Sequence, residues 1–291
     1  MTSLRVTRAM LEEIGAKPSK KLGQNFLINE QVVRDIVRLI DPKPEDQLIE
    51  IGGGLGTLTD ALVPRVGTLV VFEVDRLLHP HLVARYDDQQ HVTVLTDALT
   101  EWASAKASLD PSKPVKIAGN IPYQITGPLL ERAFSDILGI PWQSITLMVQ
   151  KEVAERMFSS AGDTDRGKLS VIVEFHSIIS GQLHVTNDAF HPKPQVDSMV
   201  IQLTPRPVPL LESAQIPHFQ AMLDRAFHMR RKTVWNNLRD TLDPEAAARL
   251  RGYLEANGVP LEKRPQDLTL REWLKAFWVE EELRTVEARV E

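Results

Sequence analysis

The sequence predicts an α/β protein, a mostly parallel sheet covered by helices and followed by a small α-helical domain. Three observations lead there. Short β-rich runs, QLIEIG, TLVVFEVD, HVTVLTDA, VKIAGN and SITLMVQ, alternate with helical stretches, and strands so interleaved pair in parallel with both faces covered. The segment TPRPVPL, Thr204 to Leu210, has three prolines and no periodicity, which marks a linker. Beyond it the chain carries helix signals only. The expected boundaries are therefore 1–204 for the sheet domain and 211–291 for the helical one. A chain of 291 residues suits this division, because single cores stop growing at roughly 250 to 300 residues.

Taken in order, the N-terminal MTSLRVTRAMLEEIG holds Glu12 and Glu13 where a signal peptide would be apolar. No apolar run approaches the roughly 20 residues that span a bilayer, so the expectation is a soluble, cytoplasmic protein with no membrane attachment. Asn29 is placed to cap a helix in which Val32, Val33, Ile36, Val37 and Ile40 share one face before Asp41-Pro42 ends it. The first two β-rich runs are nearly continuous in apolar residues, as strands buried on both faces should be. VIVEFHSII and SMVIQLT follow one another with little helix between, which predicts antiparallel pairing at the far edge of the sheet. In the second domain, Asp243-Pro244-Glu245 starts a helix that Asn257-Gly258 stops. Thr269 and Glu272 form a capping box ahead of the stripe Leu270, Trp273, Leu274, Phe277 and Trp278, whose tryptophans read as core.

Composition narrows the chemistry. The chain has no cysteine, which excludes disulfides, thiolate metal sites and cysteine nucleophiles and fits a reducing compartment. No metal site is expected. A formal net charge of -5 argues against indiscriminate coating of nucleic acid, which runs on counterion release from many phosphates. Local clusters then matter more: Lys17, Lys20 and Lys21 in KPSKK, and Arg230, Arg231 and Lys232 in RRK. Each reads as a grip on phosphates or as a solvated face.

EIGGGLG, Glu50 to Gly56, ends the first strand and leads into the helical TLTDALV. Glycines such as Gly52 and Gly54 let backbone approach a ligand, and a helix start offers free N–H groups; glycines also serve plain turns. Glu73 ends the next strand 21 positions beyond Gly52, the separation at which an acidic residue meets a ribose diol. The glycines do not follow the pyrophosphate spacing, and no phosphate loop is present. A ligand with adenine and ribose but no phosphate is S-adenosylmethionine. Asp97, ending the third strand, is placed to accept from an adenine amino group or to cap the turn that follows.

The fourth strand ends in Asn120-Ile121-Pro122-Tyr123, at the carboxyl edge where ligands of open α/β sheets bind. An exocyclic amine on a purine is a poor nucleophile, because its lone pair is delocalised into the ring. The Asn120 side-chain oxygen and the backbone carbonyl of Ile121, which Pro122 stiffens, can each accept an amine hydrogen and draw the nitrogen toward a tetrahedral shape. Tyr123 offers a ring for stacking, worth roughly 1 to 3 kcal/mol.

With these motifs the chain resembles the small-subunit ribosomal RNA adenine N6,N6-dimethyltransferase family. KKLGQNFL, EIGGGLGTLT, FEVDRLL, TDAL, NIPYQITGPLL, MVQKEVAERM, RGKLSV, AFHPKPQVDSMVIQL and AFHMRRKTVWNNL carry the likeness in order, nearly end to end. The resemblance implies a class I methyltransferase domain, Rossmann-like with a mostly parallel seven-stranded sheet, and a small C-terminal helical domain for the RNA substrate. It implies dimethylation of two adjacent adenosines in a hairpin loop near the 3′ end of small-subunit rRNA, within an assembling subunit. By position, Asn25, Leu27, Gly52, Glu73, Asp97 and Asn120 would contact S-adenosylmethionine, and Phe190 would stack on the target base opposite Tyr123; Phe190 also reads as an ordinary core residue. Gly53 stands where the family often has proline, Gln124 where asparagine is common and Gly127 where threonine is usual. Two other functions share these motifs: a large-subunit rRNA adenine methyltransferase of the macrolide-resistance type, and a non-catalytic RNA-binding assembly factor. A monomer is expected, since no segment reads as a self-association helix.

Overall fold

The computed structural model describes residues 2–121, 123–134 and 140–287. Its strands are β1 (Phe26–Leu27), β2 (Gln47–Ile51), β3 (Thr68–Phe72), β4 (Val92–Leu95), β5 (Val115–Asn120), β6 (Trp142–Gln150), β7 (Ser177–Val185), β8 (Phe190–His191) and β9 (Ser198–Pro205). Among the described residues, seven of them form one sheet in the order β4-β3-β2-β5-β6-β9-β7. The first five run parallel, and β9 is antiparallel to both β6 and β7. Every residue of β2 is buried, which is why that strand reads as an apolar run and not as an alternation. The chain winds from β2 outward to β3 and β4, then returns to β5 on the other side of β2. That reversal opens a crevice at the carboxyl ends of the central strands.

The Asn29 side chain accepts from the N–H groups of Gln31 and Val32, and the helix Glu30–Ile40 buries Val33, Ile36 and Ile40 before Asp41 turns left-handed. An N-terminal helix that the sequence pattern did not signal runs over Leu4–Ile14, capped by Ser3 and closed by Gly15. Its Leu11 packs with Ala16, Phe26, Leu55 and Leu78, and so seats the start of the chain near the glycine turn.

Contacts divide the chain into two compact units, one of Met1–Ala154 and Ser177–Pro207, the other of Glu155–His176 and Val208–Glu291. The break at Thr204 to Leu210 therefore marks only one crossing between them; Glu155–His176 belongs with the helical residues, not with 1–204. The expected strand VIVEFHSII splits for the same reason: Lys168–His176 is helical and only Ser177 onward is strand. That helix buries Val171, Ile172, Val173 and Phe175, so its apolar run fits a buried helix as well as a strand. Phe175 stacks on Phe219 at 4.6 Å, and Phe219 meets Phe277 edge-on at 5.6 Å. The helices predicted from Asp243 and from Thr269 form, with Asp243 capping and the Thr269–Glu272 box closed. Trp273 is fully buried, whereas Trp278 is 48% exposed and does not belong to the core as expected. Among the described residues no helix is long and apolar enough to cross a membrane.

Candidate active site

The carboxyl ends of β2, β3, β4 and β5 converge on a cavity of about 330 Å³, within the usual size of small-molecule sites. Its wall includes Asn25, Leu27, Gly52, Gly54, Glu73, Asp97, Asn120, Ile121 and Phe190, the residues the sequence singled out for this region. Pro122 and the side chain of Tyr123 lie outside the described residues.

The turn after β2 is held by Gly52 and Gly53, whose N–H groups both donate to Phe72 O at 2.9 and 3.0 Å. Gly52 has φ +82°, and a Cβ there would sit 2.9 Å from the Asn120 carbonyl oxygen. Only glycine lets the turn lie this close to the end of β5. Gly54 N–H donates to Glu73 Oε2 at 2.6 Å, and Asp75 N–H donates to Glu73 Oε1 at 2.8 Å. Glu73 is 6% exposed. Burial pushes its pKa upward, and those two backbone donors oppose the shift.

Asp97 Oδ1 accepts from Leu99 N–H at 2.8 Å, which caps the turn, while the residue also lines the cavity. Asn120 Nδ2 donates to the Asn25 backbone oxygen at 3.2 Å. That bond fixes how the carboxamide is turned, and with it the direction of the accepting Oδ1. Ile121 N–H donates to Met148 O at 3.3 Å, carrying the β5–β6 pairing one residue past the strand. Leu27 pairs with Phe190 across the short β1–β8 ladder. Phe190 is 4% exposed and belongs to the hydrophobic core while also forming cavity wall.

Glu50 opens the glycine motif, and the sequence pattern assigned it no role. It is 1% exposed and lines the cavity, and its Oε2 has no hydrogen-bond partner among the described residues. Burial pushes its pKa up to about 8; the Thr59 hydroxyl opposes that, and Asp60 and Glu73 add to it. Burial thus favours its neutral form, which can donate. An acidic residue between the apolar Ile49 and Ile51 of a buried strand was the signal for it.

Lys17, Lys20 and Lys21 are exposed, none makes an ion pair among the described residues, and Lys21 reaches the cavity wall. The second cluster is partly engaged. Arg230 donates to the Thr164 and Arg166 carbonyls at 2.7 and 3.4 Å, and Lys232 pairs with Asp240 at 2.6 Å. Arg231 is exposed. Among the described residues no group of three or more acidic or histidine side chains is placed to hold a metal ion.

The sequence model of the ribosomal RNA adenine dimethylases matches residues 15–276. The chain belongs to that family. The ribosomal RNA small subunit methyltransferase A of Pediococcus pentosaceus is 34% identical over 274 residues, 92% of each chain. Among solved structures, a dimethyladenosine transferase from Plasmodium falciparum shares the fold with a TM-score of 0.66 at 24% identity, over 86% of this chain and 95% of that one. The 23S rRNA methyltransferase ErmE matches with a TM-score of 0.59 at 25% identity, over 88% of this chain and all of that one. The protein is a class I methyltransferase that uses S-adenosylmethionine to dimethylate adenine in rRNA.

The cavity fits that donor. The left-handed glycine turn, the held Glu73 carboxylate and the partnerless Glu50 oxygen on one wall supply backbone clearance and polar groups that a wholly structural pocket would not leave open.

Proposed function

We propose that this protein dimethylates N6 of two adjacent adenosines in a hairpin loop near the 3′ end of small-subunit rRNA, in the cytoplasm and as a monomer, during subunit assembly. The observation that supports it most directly is the Asn120 carboxamide, oriented by the Asn25 carbonyl at 3.2 Å beside the glycine turn. With Nδ2 engaged, Oδ1 accepts one amine hydrogen of the target adenine and the Ile121 carbonyl accepts the other. Those bonds localise the nitrogen lone pair. When bound, S-adenosylmethionine supplies an electrophilic methyl group on a sulfonium. Glu73 would hold the ribose hydroxyls, Asp97 the adenine amine, and Gly52 and Gly54 the close backbone approach. The chain supplies chiefly alignment, an effect that can reach about 7 to 11 kcal/mol. The product's ammonium proton is acidic enough to leave to water, so no strong base is needed.

A target adenine must leave its stack to enter this cavity, and an irregular RNA loop already splays its bases. Phe190 is our candidate for a stacking wall. The residues 211–291, with Arg231 exposed, would serve the RNA substrate, and Lys17, Lys20 and Lys21 would hold phosphates at the cavity side.

The structural likeness to a large-subunit enzyme keeps a second reading in view. Labelled donor, incubated separately with unmethylated small subunits, free rRNA and large subunits, decides between them after digestion to nucleosides. Dimethyladenosine from small subunits alone is the expected result. Label in large-subunit RNA, or none in any RNA, overturns the assignment.

A further inference from the structure

We propose that Gln24 and Asp75 form a positioning pair that locks the segment ahead of β1 onto Glu73 and thereby sets donor affinity, a role that rests on the cavity being the S-adenosylmethionine site. Between Gly15 and Phe26 the chain has neither helix nor strand. Its backbone bonds are local, Gly23 N–H to Lys20 O and Gln24 N–H to Ser19 O at 3.1 Å each, and no ladder joins it to the sheet, so side-chain bonds carry its link to the strand ends. Gln24 makes two: its Nε2 donates to Asp75 Oδ2 at 2.8 Å, and its Oε1 accepts from Ser19 N–H at 2.8 Å. Asp75 uses Oδ1 to accept from Leu77 and Leu78 N–H at 2.8 and 3.4 Å. Its own N–H donates to Glu73 Oε1, and Glu73 Oε2 takes Gly54 N–H.

The result is one continuous series from Ser19 through Gln24, Asp75 and Glu73 to the glycine turn. The residue after Gln24 is Asn25, whose carbonyl orients the Asn120 amide. Gln24 is thus linked to both halves of the site, to Glu73 through Asp75 and to Asn120 through its neighbour Asn25. Residue 24 must donate and accept at once, which an amide does and a carboxylate does not.

That requirement can be reversed. Gln24→Glu sets a carboxylate against the Asp75 carboxylate and removes the donor. Adding Asp75→Asn restores one amide–carboxylate bond with the roles exchanged, while Ser19 and Leu77 keep their acceptors. Donor Kd is read by equilibrium dialysis with labelled S-adenosylmethionine on the full chain without RNA. Donor KM and kcat are read with unmethylated small subunits. Gln24→Glu should raise Kd and KM about tenfold, with a smaller fall in kcat, and the double variant should return to within about threefold of the parent, a coupling typical of residues in one hydrogen-bond network. Thermal melting of both variants without donor should stay near the parent's.

Two results overturn the pair: a Gln24→Glu Kd within twofold of the parent, or a double variant whose Kd rises by the product of the rises in the Gln24→Glu and Asp75→Asn single variants, both measured by the same dialysis. A parent that binds donor but methylates no small subunit refutes the RNA assignment and leaves this test standing. A parent that binds no donor refutes both.

Discussion

Replacing Glu50 with Gln should remove much of the protein's loss of stability at rising pH. The buried carboxyl has a pKa of about 8 in the fold against 4.5 when free. Its proton is therefore kept in the folded state over a range in which the unfolded chain releases it. Below the free value both states are protonated and the group exerts no pH effect. Between the two values the folded state binds the extra proton, so stability falls as pH rises, by up to about 1.4 kcal/mol per unit. Above the folded value the penalty levels off, at a total on the order of 4 to 5 kcal/mol, a large share of the roughly 5 to 15 kcal/mol that holds a domain together. Gln has the same shape and no charge. At pH 5 the variant should be equal to the parent or lower by about 1 to 2 kcal/mol, since its amide gains no partner for the position of Oε2. From pH 5 to 8 the difference should move in the variant's favour by about 1 kcal/mol per unit. Urea unfolding of both proteins without donor, at unit steps from pH 5 to 9, measures it, because titrating groups that do not interact with Glu50 cancel in the difference. A difference that stays flat within about 0.5 kcal/mol would show that Glu50 ionises freely in the fold, and the reasoning from burial would fail.

Four further outcomes are expected. Asn120→Ala should keep RNA binding by filter assay yet lower kcat by about 10² to 10³, the usual loss for one oriented polar group in a reacting site; equal turnover would refute the amide's role. Gly52→Ala places a Cβ 2.9 Å from Asn120 O at φ +82°, so it should destabilise by about 1 to 3 kcal/mol and raise donor KM, checked by denaturation and initial rates. Trp273→Ala should cost about 3 to 5 kcal/mol and Trp278→Ala less than about 1, since the first is fully buried and the second half exposed; similar melting shifts would contradict that contrast. Replacing Lys20 and Lys21 with Ala should flatten the slope of log K against log salt for RNA by about 0.7 for each phosphate no longer neutralised, whereas Arg230→Ala, which frees the Thr164 and Arg166 carbonyls, should chiefly lower thermal stability.

Much of the site was legible because its signals are local. The strand–glycine–helix turn, an acidic residue one strand later, and the polar end of VKIAGN each rest on neighbours in the chain, and the structure collects them around one cavity. The helix caps at Asn29, Asp243 and Thr269 were readable for the same reason. VIVEFHSII was not, because a short apolar run is compatible with either a strand or a buried helix, and the choice fell to Phe175 packing on Phe219 far along the chain. Nor could periodicity separate Trp273 from Trp278 on one helix, since burial depends on what packs against each face.

The sequence alone determined the α/β order, the donor class and the identity of the residues at the strand ends, because those follow from backbone propensity, side-chain chemistry and spacing. Only the tertiary structure decided that the Asn25 carbonyl holds the Asn120 amide, that burial favours the neutral form of Glu50, and that Gln24 meets Asp75 across 51 residues. Each of these depends on groups distant in sequence becoming close in space, where exclusion of water and the geometry of a single hydrogen bond override what any local pattern encodes.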